Sequence, residues 1–245
     1  MRLYLIALQF LTIIPLPFSV RCEERDLGRA MALFPLAGLT IGGILAGADY
    51  ILALRLPRPL ADLLLVAILA VLTGVLHLDG LADCCDGLAA RGGRERFLAV
   101  MKDSRIGAGG VVGLVLALLI KYQALLMIPL AHKREVLFLF PLMARFSQTQ
   151  MAVGAERARP DGLGSAFIAG VGGGQLAVAA IMTAVFAWLL SGLRGIACAL
   201  ILFLFTWGAK NWFHRKLGGI TGDVIGCVSE LNEILCLVIM LVLLR

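Results

Sequence analysis

Gly109 to Ala131 reads GGVVGLVLALLIKYQALLMIPLA, and this stretch decides the class of fold. Its only charged residue is Lys121, and its apolar residues follow one another without the alternation of a half-buried strand. A strand of a membrane barrel needs only about ten alternating residues, whereas a helix that crosses a bilayer needs about 20 apolar residues. The stretch therefore predicts a transmembrane α-helix.

The composition extends this prediction to the whole chain. Of its 245 residues, 60% are hydrophobic and 16% are charged, whereas soluble domains are about half apolar and about a quarter charged. We expect an all-α, polytopic integral membrane helix bundle that forms a single transmembrane catalytic domain over residues 1–245. About seven spans of suitable length are predicted: Met31 to Leu54, Leu60 to Leu76, Gly109 to Ala131, Val136 to Val153, Ala166 to Leu190, Ile196 to Gly208 and Ile234 to Leu244.

The N-terminal segment from Leu3 to Phe18 fits three arrangements relative to the membrane, because Pro15 and Pro17 break the helical pattern. It is predicted to cross the membrane, to lie in the interface or to re-enter. No cleavage site for a secretory signal is recognisable in it, so we expect it to be retained.

Cysteine spacing and net charge exclude two further classes of protein. The six cysteines include no C-x-x-C pair, so we predict neither a disulfide nor a zinc site. The chain carries a net charge of +6. Because no nucleic-acid motif accompanies it, we interpret this charge as a marker of membrane orientation and expect no nucleic-acid partner.

The basic residues indicate which face of the membrane is cytoplasmic. If the spans alternate, most lysines and arginines share a side with Arg21 to Arg29, and basic loops of membrane proteins face the cytoplasm. The acidic clusters fall on this same side. We therefore predict a multi-pass protein of a prokaryotic cytoplasmic (inner) membrane, with its active site on the cytoplasmic face.

The most informative polar stretch is HLDGLADCCDG, from His77 to Gly87, which is expected to continue the preceding span as a helix. At about 100° per residue, Asp83 lies about 40° and Asp86 about 20° from Asp79, so the three carboxylates share a face. His77 lies about 160° away and is expected to pack inside the bundle. Three stacked anions favour a bound cation, and all-oxygen ligands with room for phosphate favour Mg²⁺. A solvated acidic helix cap is the alternative.

A second stretch, MKDSRIGAGG from Met101 to Gly110, opens the next span. Free amides at a helix N-terminus favour a phosphate, and cations stand beside them. An ordinary capped helix start is the alternative. We predict substrate-binding roles for Lys102, Ser104 and Gly107, and catalytic roles for Asp103, Asp86 and Arg105.

A third stretch, GGITGDVIGCVSELNE from Gly218 to Glu233, repeats this pattern near the C-terminus. Asp223 and Glu230 are seven residues apart and share a helix face, so both join Asp79, Asp83 and Asp86 in the predicted metal set.

Charges inside apolar spans need a partner in the bundle. Lys121 and Arg145 are such charges, and either a bound phosphate or an internal salt bridge would satisfy them. The predicted substrate-binding set is completed by Lys121, Arg145, Asp161, Lys210 and Thr221, although Asp161 also fits an ordinary turn.

These motifs resemble one known family. LDGLADCCDG, MKDSRIGAGG, DGLG-x-x-F and GGITGD-x-x-G-x-x-x-EL, in this order, are similar to those of the cobalamin (5′-phosphate) synthases, or adenosylcobinamide-GDP ribazoletransferases. The likeness extends from QFLTIIPLP at the N-terminus, through FPLAG-x-x-x-G at Phe34, to the last helix. A more distant likeness links the first motif to the D-G-x-x-A-R of CDP-alcohol phosphotransferases, but Asp83 stands where their arginine does.

The resemblance implies a Mg²⁺-dependent transfer at the last assembly step of the cobalamin nucleotide loop. The substrates would be adenosylcobinamide-GDP and α-ribazole or its 5′-phosphate; the ribose 3′-hydroxyl would attack the cobinamide-linked phosphorus and expel GMP. The alternatives are a membrane CDP-alcohol phosphotransferase and a cation transporter, whose acidic residues should lie near the middle of the bilayer. A homo-oligomer is left open.

Overall fold

The computed structural model describes residues 1–15, 22–159 and 163–245. These described residues form eleven α-helices: α1 (Arg2–Leu11), α2 (Glu24–Ala30), α3 (Phe34–Ala53), α4 (Arg58–Leu72), α5 (Leu76–Ala89), α6 (Arg94–Val100), α7 (Ala108–Met127), α8 (Leu130–Ala152), α9 (Leu163–Gly170), α10 (Gly173–Leu217) and α11 (Gly222–Leu243). A short 3₁₀ turn, Met31–Leu33, joins α2 to α3. Within the described residues the only β contact is an isolated bridge between Arg157 and Ile220. The predicted all-α class is confirmed.

Several helices are long and apolar enough to cross a bilayer. Among the described residues there are four, Arg25–Ala53, α7, α10 and α11, or five if the bent pair of α4 and α5 counts as one span. The chain is therefore a multi-pass membrane protein, but the predicted number of seven spans is not confirmed. The N-terminal α1 has only ten residues, and part of the predicted Leu3 to Phe18 segment lies outside the described residues.

Helix α10 is a hairpin of two helical arms. Its 45 residues would measure about 68 Å, more than twice the hydrocarbon thickness of about 30 Å. The helical backbone breaks at Gly192, where φ is +56°. Beyond this break, Gly195 lies directly against the backbone of Ala187, so the arms fold back on each other. The predicted spans Ala166 to Leu190 and Ile196 to Gly208 each overlap one arm, but the first also overlaps α9.

Helices α8 and α11 form the centre of the bundle. Every residue of α8 from Leu139 to Ala152 is buried, although its polar side chains keep it outside the group of span candidates. Helix α11 begins at Gly222, far ahead of the span predicted from Ile234. Its acidic residues interrupt the apolar pattern, and this is why the sequence places the start of the helix too late.

Helix α5 does not continue the preceding span. The chain bends by 90° between α4 and α5, because Gly74 (φ +60°) and Val75 (φ +61°) both adopt left-handed backbone conformations. The predicted helix over His77 to Gly87 is present, but the prediction that it continues the preceding helix is wrong. The bend lays α5 across the N-terminus of α11, where a Cβ added at Gly80 would lie 2.5 Å from the carbonyl oxygen of Asp223. Only glycine permits this approach.

Candidate active site

One face of α5 borders an open cavity of about 770 Å³. Asp79 is exposed and Asp83 is half-buried, and both line this cavity. The carboxylates of Asp79, Asp223 and Asp86 repel the Asp83 carboxylate, and Arg159 attracts it. Asp79, Asp83 and Asp223, from two helices, thus lie close enough for their charges to interact.

Asp86 makes a different set of contacts. One carboxylate oxygen accepts a hydrogen bond from the Gly107 amide at 2.7 Å, and the other accepts from the Gly110 amide at 2.8 Å. These amides belong to the N-terminus of α7, where an anion is electrostatically favoured. The amides predicted to bind a phosphate are occupied by the chain's own Asp86, so the structure contains a capped helix start, which was the alternative. Both Asp86, proposed as a metal ligand and base, and Gly107, proposed for substrate, are engaged in holding α5 to α7.

The loop between α6 and α7 forms the opposite wall of the cavity. Lys102, Ser104 and Arg105 line it together with Asp103. Arg105 donates to Asp103 through two side-chain nitrogens, at 3.0 and 2.8 Å, and through its backbone amide at 3.1 Å. These bonds lower the pKa of Asp103 to about 2. A carboxyl group of such low pKa is a weak proton acceptor, so the geometry disfavours the predicted role of Asp103 as base.

A second cavity, of about 310 Å³, also borders Asp79. Three phenylalanines belong to its apolar lining, and its polar lining is formed by His77, Asp79, Gln148, Arg159, Ser165, Thr221 and Asp223. Asp79 thus lines both cavities. Thr221 also accepts a hydrogen bond from the Val224 amide at 3.2 Å and caps the start of α11.

Arg159 is a site residue that the sequence analysis did not select. Its Nη1 lies 3.6 Å from Asp223 Oδ2, and its Nη2 donates to the Leu98 carbonyl at 2.8 Å. The available signal was its position just ahead of the DGLG motif on the basic side of the chain. Asp161, in that motif, lies outside the described residues.

Glu230 belongs to a buried ion-pair cluster rather than to the aspartates of α5. Lys121 Nζ lies 2.5 Å from Glu230 Oε2 and 2.5 Å from Glu233 Oε2, and Arg145 Nη1 lies 2.7 Å from Glu233 Oε1. All four side chains are buried. The internal salt bridge, which was the alternative to phosphate binding, is therefore what the structure contains for Lys121 and Arg145.

Lys210, also predicted to bind substrate, contacts the end of α8. Its ammonium group donates to the carbonyls of Gln150 and Val153, where the negative end of the helix dipole favours a cation. His77 is buried and contacts Gln148, as the helical-angle argument predicts.

The carboxylates suit a hard cation that also takes oxygen ligands from a substrate. Among the described residues, no three His, Cys, Asp or Glu side chains are close enough to hold a metal ion by themselves. Mg²⁺ is commonly held by one or two carboxylates together with substrate phosphates and water. Asp79 and Asp83, which share a cavity wall with cationic residues opposite, fit this mode of binding.

Comparison with known proteins shows the family of the chain. A family model described as cobalamin-5-phosphate synthase matches residues 3–241. The chain belongs to the cobalamin-5-phosphate synthase family. Membership confirms the resemblance seen in the motifs and makes the chain an enzyme, a transferase of cobalamin biosynthesis. No solved structure matches it.

Three relatives illustrate how fully the family likeness covers the chain. Each is named adenosylcobinamide-GDP ribazoletransferase. The protein from Geotalea daltonii is 72% identical over 97% of this chain and 96% of its own length. The protein from Pseudomonas paraeruginosa is 40% identical and that from Acetivibrio thermocellus 36%, each over 96% of this chain and 95% of the relative.

Proposed function

We propose that this enzyme joins α-ribazole or its 5′-phosphate to adenosylcobinamide-GDP, with Mg²⁺, and releases GMP. The observation that carries the proposal is the position of Asp79, which lines two cavities. A transferase needs two substrates on either side of one reacting centre, and this carboxylate lies where they would meet.

The larger cavity suits the donor, adenosylcobinamide-GDP. It is open and about 770 Å³ in volume, with Lys102, Ser104 and Arg105 on one wall. Cationic and hydroxyl side chains bind phosphate oxygens and neutralise charge that develops during phosphoryl transfer. The smaller cavity, about 310 Å³, suits the acceptor nucleoside.

Asp79 and Asp83 would hold Mg²⁺ against the diphosphate of the donor. Bound there, the ion would supply Lewis-acid stabilisation of the phosphoryl oxygens. Arg105 exchanges its contact with Asp103 for a phosphate oxygen when the donor binds, because separating an exposed ion pair costs little free energy.

Transfer then proceeds by direct displacement. The acceptor hydroxyl oxygen forms a bond to the cobinamide-linked phosphorus, and the bond between that phosphorus and the GMP oxygen breaks. GMP leaves with the electron pair. The hydroxyl proton passes to Asp223, which lines the acceptor cavity and whose position Arg159 fixes from 3.6 Å. We assign Asp223 this role in place of Asp86, whose two oxygens already accept backbone amides, and in place of Asp103, which does not line the acceptor cavity.

We further propose that the two cavities open to the cytoplasm from an inner membrane. The support is the basic character of the loop beside the larger cavity, since basic segments remain on the cytoplasmic side. Nucleotide substrates are also supplied from that compartment.

Purified protein in detergent tests the reaction directly. We expect GMP release when adenosylcobinamide-GDP, α-ribazole and Mg²⁺ are all present, and no release when a chelator replaces the metal. A CDP-alcohol offered as donor should release no CMP. Release of CMP without GMP would favour the CDP-alcohol phosphotransferase, and no GMP release under any condition would overturn the proposal.

A further inference from the structure

The smaller cavity has an aromatic wall that the proposed chemistry does not use. Phe167 lies 4.4 Å from Phe10 and 5.7 Å from Phe34 between ring centroids, and Phe10 lies 6.1 Å from Phe34. All three rings line the cavity. They come from three distant segments, QFLTIIPLP, FPLAG and DGLG-x-x-F, so the fold gathers one ring from each motif into a single surface.

A buried histidine nitrogen without a hydrogen-bond partner belongs to another residue that lines this cavity. His77 is 3% exposed and lines the cavity, and its Nδ1 has no hydrogen-bond partner. Its Nε2 lies 3.0 Å from Gln148 Nε2. The other contacts of Gln148 decide which histidine nitrogen carries the proton.

Gln148 Nε2 also donates to Ser229 Oγ at 2.8 Å, and Ser229 in turn donates to the Ala144 carbonyl at 3.3 Å. Because the serine proton is used, Ser229 accepts from the amide group of Gln148, which fixes the amide orientation. The same amide group then donates to His77 Nε2. A neutral His77 therefore carries its proton on Nδ1, which is the nitrogen left without an acceptor.

We propose that this cavity is the subsite for the base of the acceptor nucleoside, and that His77 Nδ1 donates to a ring nitrogen of that base. The inference rests on the proposed function and makes it more specific. The ligand class is a flat, largely apolar bicyclic base with one unsubstituted acceptor nitrogen, which describes the benzimidazole of α-ribazole. The volume of this cavity, about 310 Å³, lies at the lower end of the range of about 300–1,000 Å³ found for small-molecule pockets.

The placement also explains how the sugar reaches the reacting centre. Asp79 and Asp223 belong to the polar lining of the same cavity. A base held by the aromatic rings and His77 leaves its ribose beside these carboxylates. A purine with a polar amino group would place that group against phenylalanine rings, where it would lack a partner, and so would bind less well.

The test compares two acceptors that differ in one atom: α-ribazole, and the matching indole riboside, in which a C–H replaces the unsubstituted ring nitrogen. With wild-type enzyme and saturating donor, we expect kcat/KM for GMP release to be about 10- to 100-fold higher for α-ribazole, mainly through KM, because the indole leaves His77 Nδ1 unpaired. In His77→Ala this preference should fall below about threefold. The control variant is His132→Gln, which changes a histidine at the other end of α8 from Gln148. This variant should keep the preference for α-ribazole.

The outcomes separate this inference from the proposed function. If α-ribazole supports no GMP release by the wild type, the proposed function fails. If it supports turnover but wild-type enzyme uses both acceptors equally well, or His77→Ala keeps the full preference, the subsite assignment is overturned. The wild-type comparison stands even if His77→Ala does not fold.

Discussion

Asp79 and Asp83, one helical turn apart on α5, are the residues on which the metal proposal depends. Asp83→Asn keeps the shape of the side chain and removes its charge. We expect the Mg²⁺ concentration that gives half-maximal GMP release to rise about 10- to 100-fold, a loss comparable to those seen when a metal site loses supporting groups. Glu95→Gln, an exposed acid on α6, is the matched control. An unchanged Mg²⁺ titration in Asp83→Asn would contradict the assignment.

Asp103 provides a prediction about pH. Arg105 holds the pKa of Asp103 at about 2, so the carboxylate is ionised at neutral pH and titrates only around that value. An acid limb in the pH dependence of kcat/KM between about pH 5 and 7 must then come from another group. We expect Asp103→Asn to keep the same apparent pKa in that limb as the wild type. If the limb disappears in Asp103→Asn, this residue is the base after all.

At the scale of single residues, the sequence predicts the acidic face but not all of its partners. Helical spacing correctly places Asp79 and Asp83 on one wall. It cannot reveal that Asp86, on the same face, accepts hydrogen bonds from two amides at the start of α7, which lie 21 and 24 residues further along the chain. Such a contact depends on how two helices pack, and α5 must first turn by 90° to make it.

The contact between α5 and α7 leads to a prediction at the level of the element. Asp86→Ala removes the acceptor of two helix N-terminal amides, so α7 should lose about 1–2 kcal/mol of stabilisation. We expect faster amide hydrogen exchange in residues 101–110 of the detergent-solubilised protein, with Asp86→Asn intermediate because it keeps one acceptor oxygen. Exchange equal to that of the wild type would show that Asp86 does not hold this helix start.

Element boundaries are predicted well where apolar runs are uninterrupted and poorly elsewhere. The predicted Gly109 to Ala131 span corresponds closely to α7, Ala108–Met127. The bend before α5 depends on left-handed backbone at Val75, a residue type that gives no sequence signal for it. Helix α11 begins twelve residues before the predicted span, because its acids are neutralised by partners on other helices.

At the scale of the whole molecule, the buried ion-pair cluster joins three helices through two cations and two anions. Lys121→Met leaves two buried carboxylates with one cation, and we expect a loss of about 3–5 kcal/mol, measured by unfolding in detergent. The double variant Lys121→Met/Glu230→Gln restores charge balance and should regain much of it. A double variant less stable than the single one would contradict this account of the cluster.

The long apolar runs of the sequence predict an all-helical membrane protein. The acidic motifs between these runs predict a polar site. The polar composition of α8 hides its central position, since the partners of Arg145 and Gln148 are residues of α11 and α5 that only the fold brings near. Likewise, the two-cavity arrangement around Asp79 depends on eight helices meeting, which no single motif specifies.

The central claim is that Asp79 lies between the donor and the acceptor, and one measurement tests it most directly. Wild-type enzyme and Asp79→Asn are compared in a single turnover of bound adenosylcobinamide-GDP and α-ribazole with Mg²⁺, after the affinity for each substrate has been measured separately. We predict that each dissociation constant changes by less than about tenfold, while the rate of GMP formation falls by at least about 1,000-fold. A rate within about tenfold of the wild type would contradict the account.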